Sequence, residues 1–159
     1  MTRTLGTPAE IGAAVRGGSL VIDAADRPAH DIERWVNAAC FDQGVPYITM
    51  SHFPPFARVG PLYVPGETGC FNCQELAYRR SYELYDHIVD QRRGAPSPAA
   101  TLGPVCAFIG GQVALDVVHH LTGLCAPASR GTVRSFDTRT LAVSEEAVPR
   151  DPLCEVCSG

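Results

Sequence analysis

The chain has 159 residues, 45% of them hydrophobic and 19% charged, with a formal net charge of −4 at pH 7. That length suits one domain with a proper core, and an acidic balance without a basic run excludes a nucleic-acid footprint. No apolar stretch reads as long enough to span a membrane, and the N-terminus carries no signal-peptide core, so a cytoplasmic protein without a membrane partner is expected.

The first fifty residues alternate. Thr7-Pro8-Ala9-Glu10 opens a helix, with Thr7 as cap, Pro8 in the first turn and Glu10 completing a capping box. Ile11 and Val15 give it one apolar side, and Gly17-Gly18 stop it. The run from Ser19 to Ala24 is short, apolar and β-branched, as in a buried parallel strand. A second helix spans about His30 to Gln43, with Ile32, Trp35, Val36 and Ala39 inward and Gly44 at its end. Val45 to Met50 is the next strand. Helix–strand–helix–strand is half of a doubly wound α/β unit, and it leaves the Leu20–Ala24 strand as an open edge.

The pattern then changes. Phe56 to Val64 reads as a strand bent at Gly60-Pro61. Gln74 to about Gln91 reads as one helix carrying Tyr78, Tyr82 and Tyr85, followed by a loop from Arg92 to Ala100. Leu102 to Leu121 has the strongest helical period, with Val105, Cys106, Ile109, Val113, Val117 and Leu121 recurring. Gly110-Gly111 inside it costs helix stability, which points to close packing against another backbone. The stretches Gly131 to Arg139 and Leu141 to Pro149 form a β-hairpin.

Two C-x2-C knuckles bracket this second part: Cys70-Phe-Asn-Cys73 and Cys154-Glu-Val-Cys157. Together they offer four thiolates, the ligand set of a closed tetrahedral zinc site. Seven cysteines are an odd number, which with no export signal favours reduced thiols and metal over a disulfide framework. The expectation is one structural Zn2+ tying the C-terminus to the middle of the chain; the alternatives are unrelated thiols or two disulfides. Cys40 and Cys106 fall in helical patterns and read as core, whereas Cys125 sits in a loop. His119-His120 close the long helix, where histidine suits the dipole. Asp23 and Asp26 follow a strand, where carboxylates serve either as caps or as Mg2+ ligands.

In order and spacing, Val21-Ile-Asp-Ala-Ala-Asp26, Asn37-x2-Cys40, Gly44-Val-Pro-Tyr-Ile48, the first knuckle, Gly110-Gly-Gln-Val-Ala-Leu115 and the terminal knuckle resemble the C-terminal half of the ThiF/MoeB adenylyltransferases, the ubiquitin-activating-enzyme-like superfamily. The stretch Phe136-Asp-Thr-Arg-Thr140 with Val148-Pro-Arg-Asp-Pro-Leu-Cys154 looks most like the branch that partners YcaO cyclodehydratases in azoline peptide biosynthesis, a form of ribosomal peptide (RiPP) modification. The resemblance covers the chain from about residue 7. It implies a single domain, residues 1–159, forming a mixed doubly wound α/β sheet with a four-cysteine zinc site. It also implies that Asp26 matches the aspartate serving Mg-ATP. Two family features are missing from this sequence. There is no glycine-rich strand–helix turn to cradle phosphates, and the segment Ala95-Pro-Ser-Pro98 before the long helix carries no reactive cysteine.

Two functions follow as expectations. The first is a non-catalytic scaffold, binding a precursor peptide or a YcaO-type enzyme. The second is half of a split adenylyltransferase that activates a peptide or carrier-protein carboxylate, with Mg-ATP held only when another chain supplies the phosphate loop. Both imply obligate association, with the missing half-domain or with a second copy.

Overall fold

A computed structural model describes residues 5–94 and 102–158. It shows an α/β fold of a five-stranded mixed sheet and five helices. Helix α1 spans Pro8–Val15 and α2 Asp31–Asp42; strand β1 spans Val21–Asp23 and β2 Tyr47–Phe53. The N-terminal box forms: Thr7 Oγ1 accepts from Glu10 N at 3.3 Å, and Glu10 Oε2 accepts from Gly6 N at 2.9 Å. Strands β1 and β2 are parallel, in register Ile22 with Ile48.

Strand β3, Phe56–Tyr63, runs antiparallel to β2. The expected bend falls where the register shifts: Gly60 and Pro61 together oppose the single residue Thr49. Gly60 has φ +80°, and a Cβ there would lie 2.5 Å from Ser129 Cβ and 2.7 Å from Thr132 O. Left-handed backbone and lack of room together require glycine. Strands β4 (Thr132–Asp137) and β5 (Val143–Ala147) form the predicted hairpin and complete the order β1-β2-β3-β4-β5. β1 is an edge strand, paired only with β2 among the described residues.

Between β3 and β4 lie α3 (Phe71–Ser81), α4 (Tyr85–Gly94) and α5 (Gly103–Thr122). The single helix expected from Gln74 to Gln91 is in fact two, broken where Tyr82 turns extended. Ten residues of continuous helix would carry Tyr85 about 15 Å beyond Glu75; the break instead brings Tyr85 Oη to 3.4 Å from Glu75 Oε1. Arg92 and Arg93, expected in a loop, belong to α4, and 95–101 lie outside the described residues.

The sheet separates two apolar clusters. Ile11, Val15, Ile32, Val36, Cys40, Tyr47 and Tyr63 pack with the four knuckle cysteines on one face; Ile48, Val59 and Leu62 meet Val105, Ile109 and Val113 of α5 on the other. Cys40 is core as expected, but Cys106 is exposed. It adjoins Val105 in sequence, and the helical turn carries it about 100° off the buried line. Leu121 is also outward, at 54% exposed. The close packing expected at Gly110-Gly111 is not found within the chain, since a Cβ at either glycine meets nothing within 4 Å. Contrary to the composition-based expectation, α5 is long and apolar enough to cross a membrane by those criteria alone; one side of it packs on the sheet and its Asp116 is buried.

Candidate metal centre and strand-end carboxylates

The two knuckles meet. The sulfurs of Cys70, Cys73, Cys154 and Cys157 all lie within 4.8 Å of one another, and all four residues are buried. Cys70 and Cys73 are 3.8 Å apart, Cys70 and Cys154 3.4 Å, and Cys73 and Cys157 3.2 Å. A disulfide needs about 2.05 Å, whereas four thiolates at about 2.3 Å from one zinc stand about 3.8 Å apart. All four are free thiols, so the geometry fits a shared metal ion. Among the described residues this is the one His, Cys, Asp and Glu cluster placed to hold a metal.

Local chemistry explains how the knuckles form. Cys70 caps α3, so the helix start turns Cys70 and Cys73 to the same point. A Cβ on Gly69 would lie 2.5 Å from Val148 O and 2.7 Å from Pro149 O, so only glycine lets the two strands of chain approach. The second knuckle turns on Asp151, which the sequence reading named only within the resemblance and gave no role. Its Oδ1 accepts from Leu153 N at 2.9 Å, its carbonyl accepts from Cys154 N at 3.0 Å, and its backbone N donates to Cys73 Sγ at 3.3 Å. Arg80 of α3 pairs with its Oδ2 at 2.5 Å. Asn72 Nδ2 donates to Cys154 Sγ at 3.3 Å. Burial opposes ionisation of Cys154, but the Asn72 amide and the backbone N–H groups of Cys157 and Val156 outweigh it and bring the thiol down to about 7. Donors aimed at sulfur favour the thiolate, the form that ligates metal.

The carboxylates gather at the other end of the parallel pair. Asp23 closes β1 and is 6% exposed. Its Oδ1 accepts from Ala25 N at 3.1 Å, while its Oδ2 is buried without a hydrogen-bond partner. Burial first, then the nearby Glu33 and Asp26 charges, raise its pKa to about 6. Asp26 is exposed three residues beyond the strand end.

A buried polar network joins this loop to the knuckle helix. Glu75, two residues after Cys73, is 1% exposed. It receives His30 Nε2 at 2.8 Å, Arg34 Nε at 3.0 Å and Arg34 Nη2 at 2.8 Å. Asn37 Oδ1 accepts from Tyr47 Oη at 2.8 Å and from Phe71 N at 3.0 Å. Tyr63 Oη donates to Gln74 Oε1 at 2.7 Å. Sequence reading marked Asn37 only through the resemblance and gave no role to His30 or Glu75. The signal that was available is the placing of His, Arg and Asn at 30, 34 and 37 on the apolar helix side.

The cavities lie elsewhere. One of about 280 Å³ is lined by His119, His120, Cys125 and Arg130; a groove of about 570 Å³ runs between Pro8, Trp35, Phe41 and Val156. Cys125 is exposed, as its loop position implied.

The ThiF family profile matches residues 3–156. The chain belongs to the ThiF family. The sulfur carrier protein ThiS adenylyltransferase of Escherichia coli K12 is 30% identical over 146 residues, covering 92% of this chain and 52% of that protein. The molybdopterin-synthase adenylyltransferase of the same organism is 26% identical, covering 94% and 54%. This ThiF-family chain thus spans about half the length of the curated relatives it matches. Among solved structures, E. coli MccB with succinimide superposes with a TM-score of 0.82 at 26% identity, over 100% of this chain and 44% of MccB. MccB with AMPCPP and MccA gives 0.82, 26%, 100% and 45%. The heterocyclase TruD, at 21% identity and a TM-score of 0.69, shares the fold.

Proposed function

We propose that this ThiF-family chain is a zinc-stapled component of a peptide-modifying (RiPP) system that binds a precursor peptide or partner enzyme and does not adenylate by itself. The observation that carries this reading is the state of the β1 end. Asp23 stands at the end, and Asp26 just beyond the end, of an edge strand paired only with β2 among the described residues, and among those residues no glycine-rich turn leads from a strand into a helix beside them. Phosphate binding in doubly wound folds needs such a turn. The fold likeness to MccB, solved with MccA, supports a peptide as the partner.

Zinc is the metal that fits. Four soft thiolates in a tetrahedral set select it, and they leave no open position for catalysis. Its role is to hold residues 151–157 against α3. The test of the binding reading is calorimetry of the zinc-loaded chain with precursor peptides and YcaO-type enzymes encoded near it. Saturable binding supports the reading; heat changes no larger than dilution in every pairing contradict it.

A second reading is favoured by Asp23 and Asp26 themselves. Completed by a segment carrying the phosphate loop, the β1 end becomes a site where Asp26 holds Mg2+ for ATP. A peptide or carrier-protein carboxylate oxygen then attacks the α-phosphorus, the bond to the bridging oxygen breaks, and pyrophosphate leaves with that electron pair. ATP–pyrophosphate exchange by the completed assembly, lost in Asp26→Ala, tests it.

A further inference from the structure

The groove of about 570 Å³ on the outer side of α1 and α2 is used neither by the cysteine cluster nor by the β1 end. It falls in the size class of small-ligand sites. Gly12 of α1 with Ala38 and Ala39 of α2 gives it a lining of small residues, and Trp35 and Val156 stand beside them. Gln43 Nε2 donates to Gly12 O at 2.8 Å, which fixes α1 against α2, so the groove is built into the fold. Val156 lies between Cys154 and Cys157, so the second knuckle supplies one wall.

Charge is placed at one end of this lining. Asp42 is the last residue of α2, and the last turn of that helix holds no basic residue. A carboxylate at a helix C-terminus opposes the helix dipole. The Asp42 side chain is exposed and makes no hydrogen bond or ion pair among the described residues, and no lysine or arginine lines the groove. Trp35, Ala38, Ala39 and Asp42 recur at helical spacing, so one face of α2 presents the indole, the small residues and the carboxylate in that order. The half-buried Trp35 ring adds a face that attracts cations.

We propose that this groove seats an extended peptide segment with an apolar side chain two residues from a basic one. The apolar side chain packs over Gly12, Ala38 and Ala39 beside Trp35, and the basic group pairs with Asp42. Spacing selects this pattern. Ala38 and Asp42 are four residues apart, about 6 Å along the helix axis. Alternate residues of an extended chain share one face about 6.6 Å apart, so an apolar and a basic side chain at that separation meet both features together. The inference rests on the reading that this chain binds a peptide, and adds the place and the side-chain pattern.

Trp35 is the one tryptophan of the chain, so its emission reports on the groove directly. The experiment titrates the full-length, zinc-loaded protein with acetyl-Leu-Gly-Arg-amide, and with the Leu-Gly-Glu and Ala-Gly-Arg counterparts. The expected result is a saturable emission change with Leu-Gly-Arg and affinities about tenfold weaker for both counterparts, from the reversed charge and the lost apolar contact. Asp42→Asn is expected to weaken Leu-Gly-Arg about threefold, as for an exposed ion pair, and Ala38→Leu about tenfold by filling the groove. Glu83→Gln, an exposed carboxylate outside the groove, leaves the affinity unchanged. No saturable change, equal affinity for the Arg and Glu peptides, indifference to Ala38→Leu, or an emission shift that tracks protein concentration without peptide, as when a second copy fills the groove, overturns the proposal. Precursor-peptide binding that is untouched by Asp42→Asn and Ala38→Leu removes the groove and keeps the peptide reading. Leu-Gly-Arg binding with no precursor peptide or partner enzyme bound keeps the groove and removes that reading.

Discussion

His30 Nε2 lies 2.8 Å from Glu75 Oε1, and both side chains are 1% exposed. This pair ties the loop that carries Asp26 to the helix that carries Cys73. The carboxylate only accepts, so His30 Nε2 carries the proton. His30 holds this contact from a left-handed backbone, φ +69°, at the start of α2. Arg34 closes a fork on the same carboxylate.

Breaking that pair destabilises the chain. Glu75→Ala strands His30 and Arg34 and costs on the order of 3 kcal/mol. Burial pushes the Glu75 carboxyl up, but hydrogen bonds from His30 and Arg34 outweigh it and hold the group at about 2 against a usual 4.5. A depressed carboxylate contributes stability that is complete above about pH 4.5 and is lost as pH falls toward 2. Urea unfolding at pH 7, 4.5 and 3 therefore shows a gap between wild type and Glu75→Gln that narrows with acid; a gap constant with pH contradicts the assignment.

Asp23 has the opposite sign. Its pKa is raised to about 6, so the folded chain binds its proton more tightly than the unfolded chain does. Its ionisation costs stability progressively as pH rises from about 4 to 6. Asp23→Asn keeps the acceptor for Ala25 N and removes the buried charge. It is expected to raise stability by about 1–3 kcal/mol at pH 7 and to change little below pH 4. Thermal melts across that range check this; a loss of stability at pH 7 counts against it.

Zinc binding should be folding-linked. One zinc per chain by mass spectrometry is the expected stoichiometry, with residues 148–158 losing amide protection in chelator. Cys70→Ser is expected to prevent normal folding, because structural zinc contributes free energy comparable to the whole stability of a domain. Thiolate ligation requires proton release, so zinc affinity falls as pH drops. A chain that folds unchanged in chelator contradicts the staple.

Two glycines separate opposite effects. Gly69→Ala drives a Cβ to 2.5 Å from the Val148 carbonyl, so the seam must shift, with a loss of about 1–3 kcal/mol and weaker zinc binding. Gly110→Ala meets open space and is expected to stabilise the free chain by about 1 kcal/mol. Denaturant midpoints of the two variants distinguish them.

The legible parts of the fold were those fixed by local chemistry. Thr7 with Glu10 set a helix start, Gly60-Pro61 set a bulge, and the C-x2-C spacing set a metal cluster. What escaped depends on distant partners. Cys106 and Leu121 continue an apolar period but face outward, since periodicity does not show how wide the covering sheet is. Tyr82 breaks a helical run because Tyr85 is drawn back to Glu75. Asp151 entered only as part of the stretch that carries the resemblance, without a role; its value lies in Arg80 and the Cys73 sulfur, 71 and 78 residues away in sequence.

We propose that this chain binds a peptide or partner enzyme and does not adenylate by itself. ATP–pyrophosphate exchange with the zinc-loaded chain alone, at saturating Mg-ATP and with candidate peptides present, tests it most directly. Exchange at background is expected; exchange above background that disappears in Asp26→Ala would contradict the proposed role.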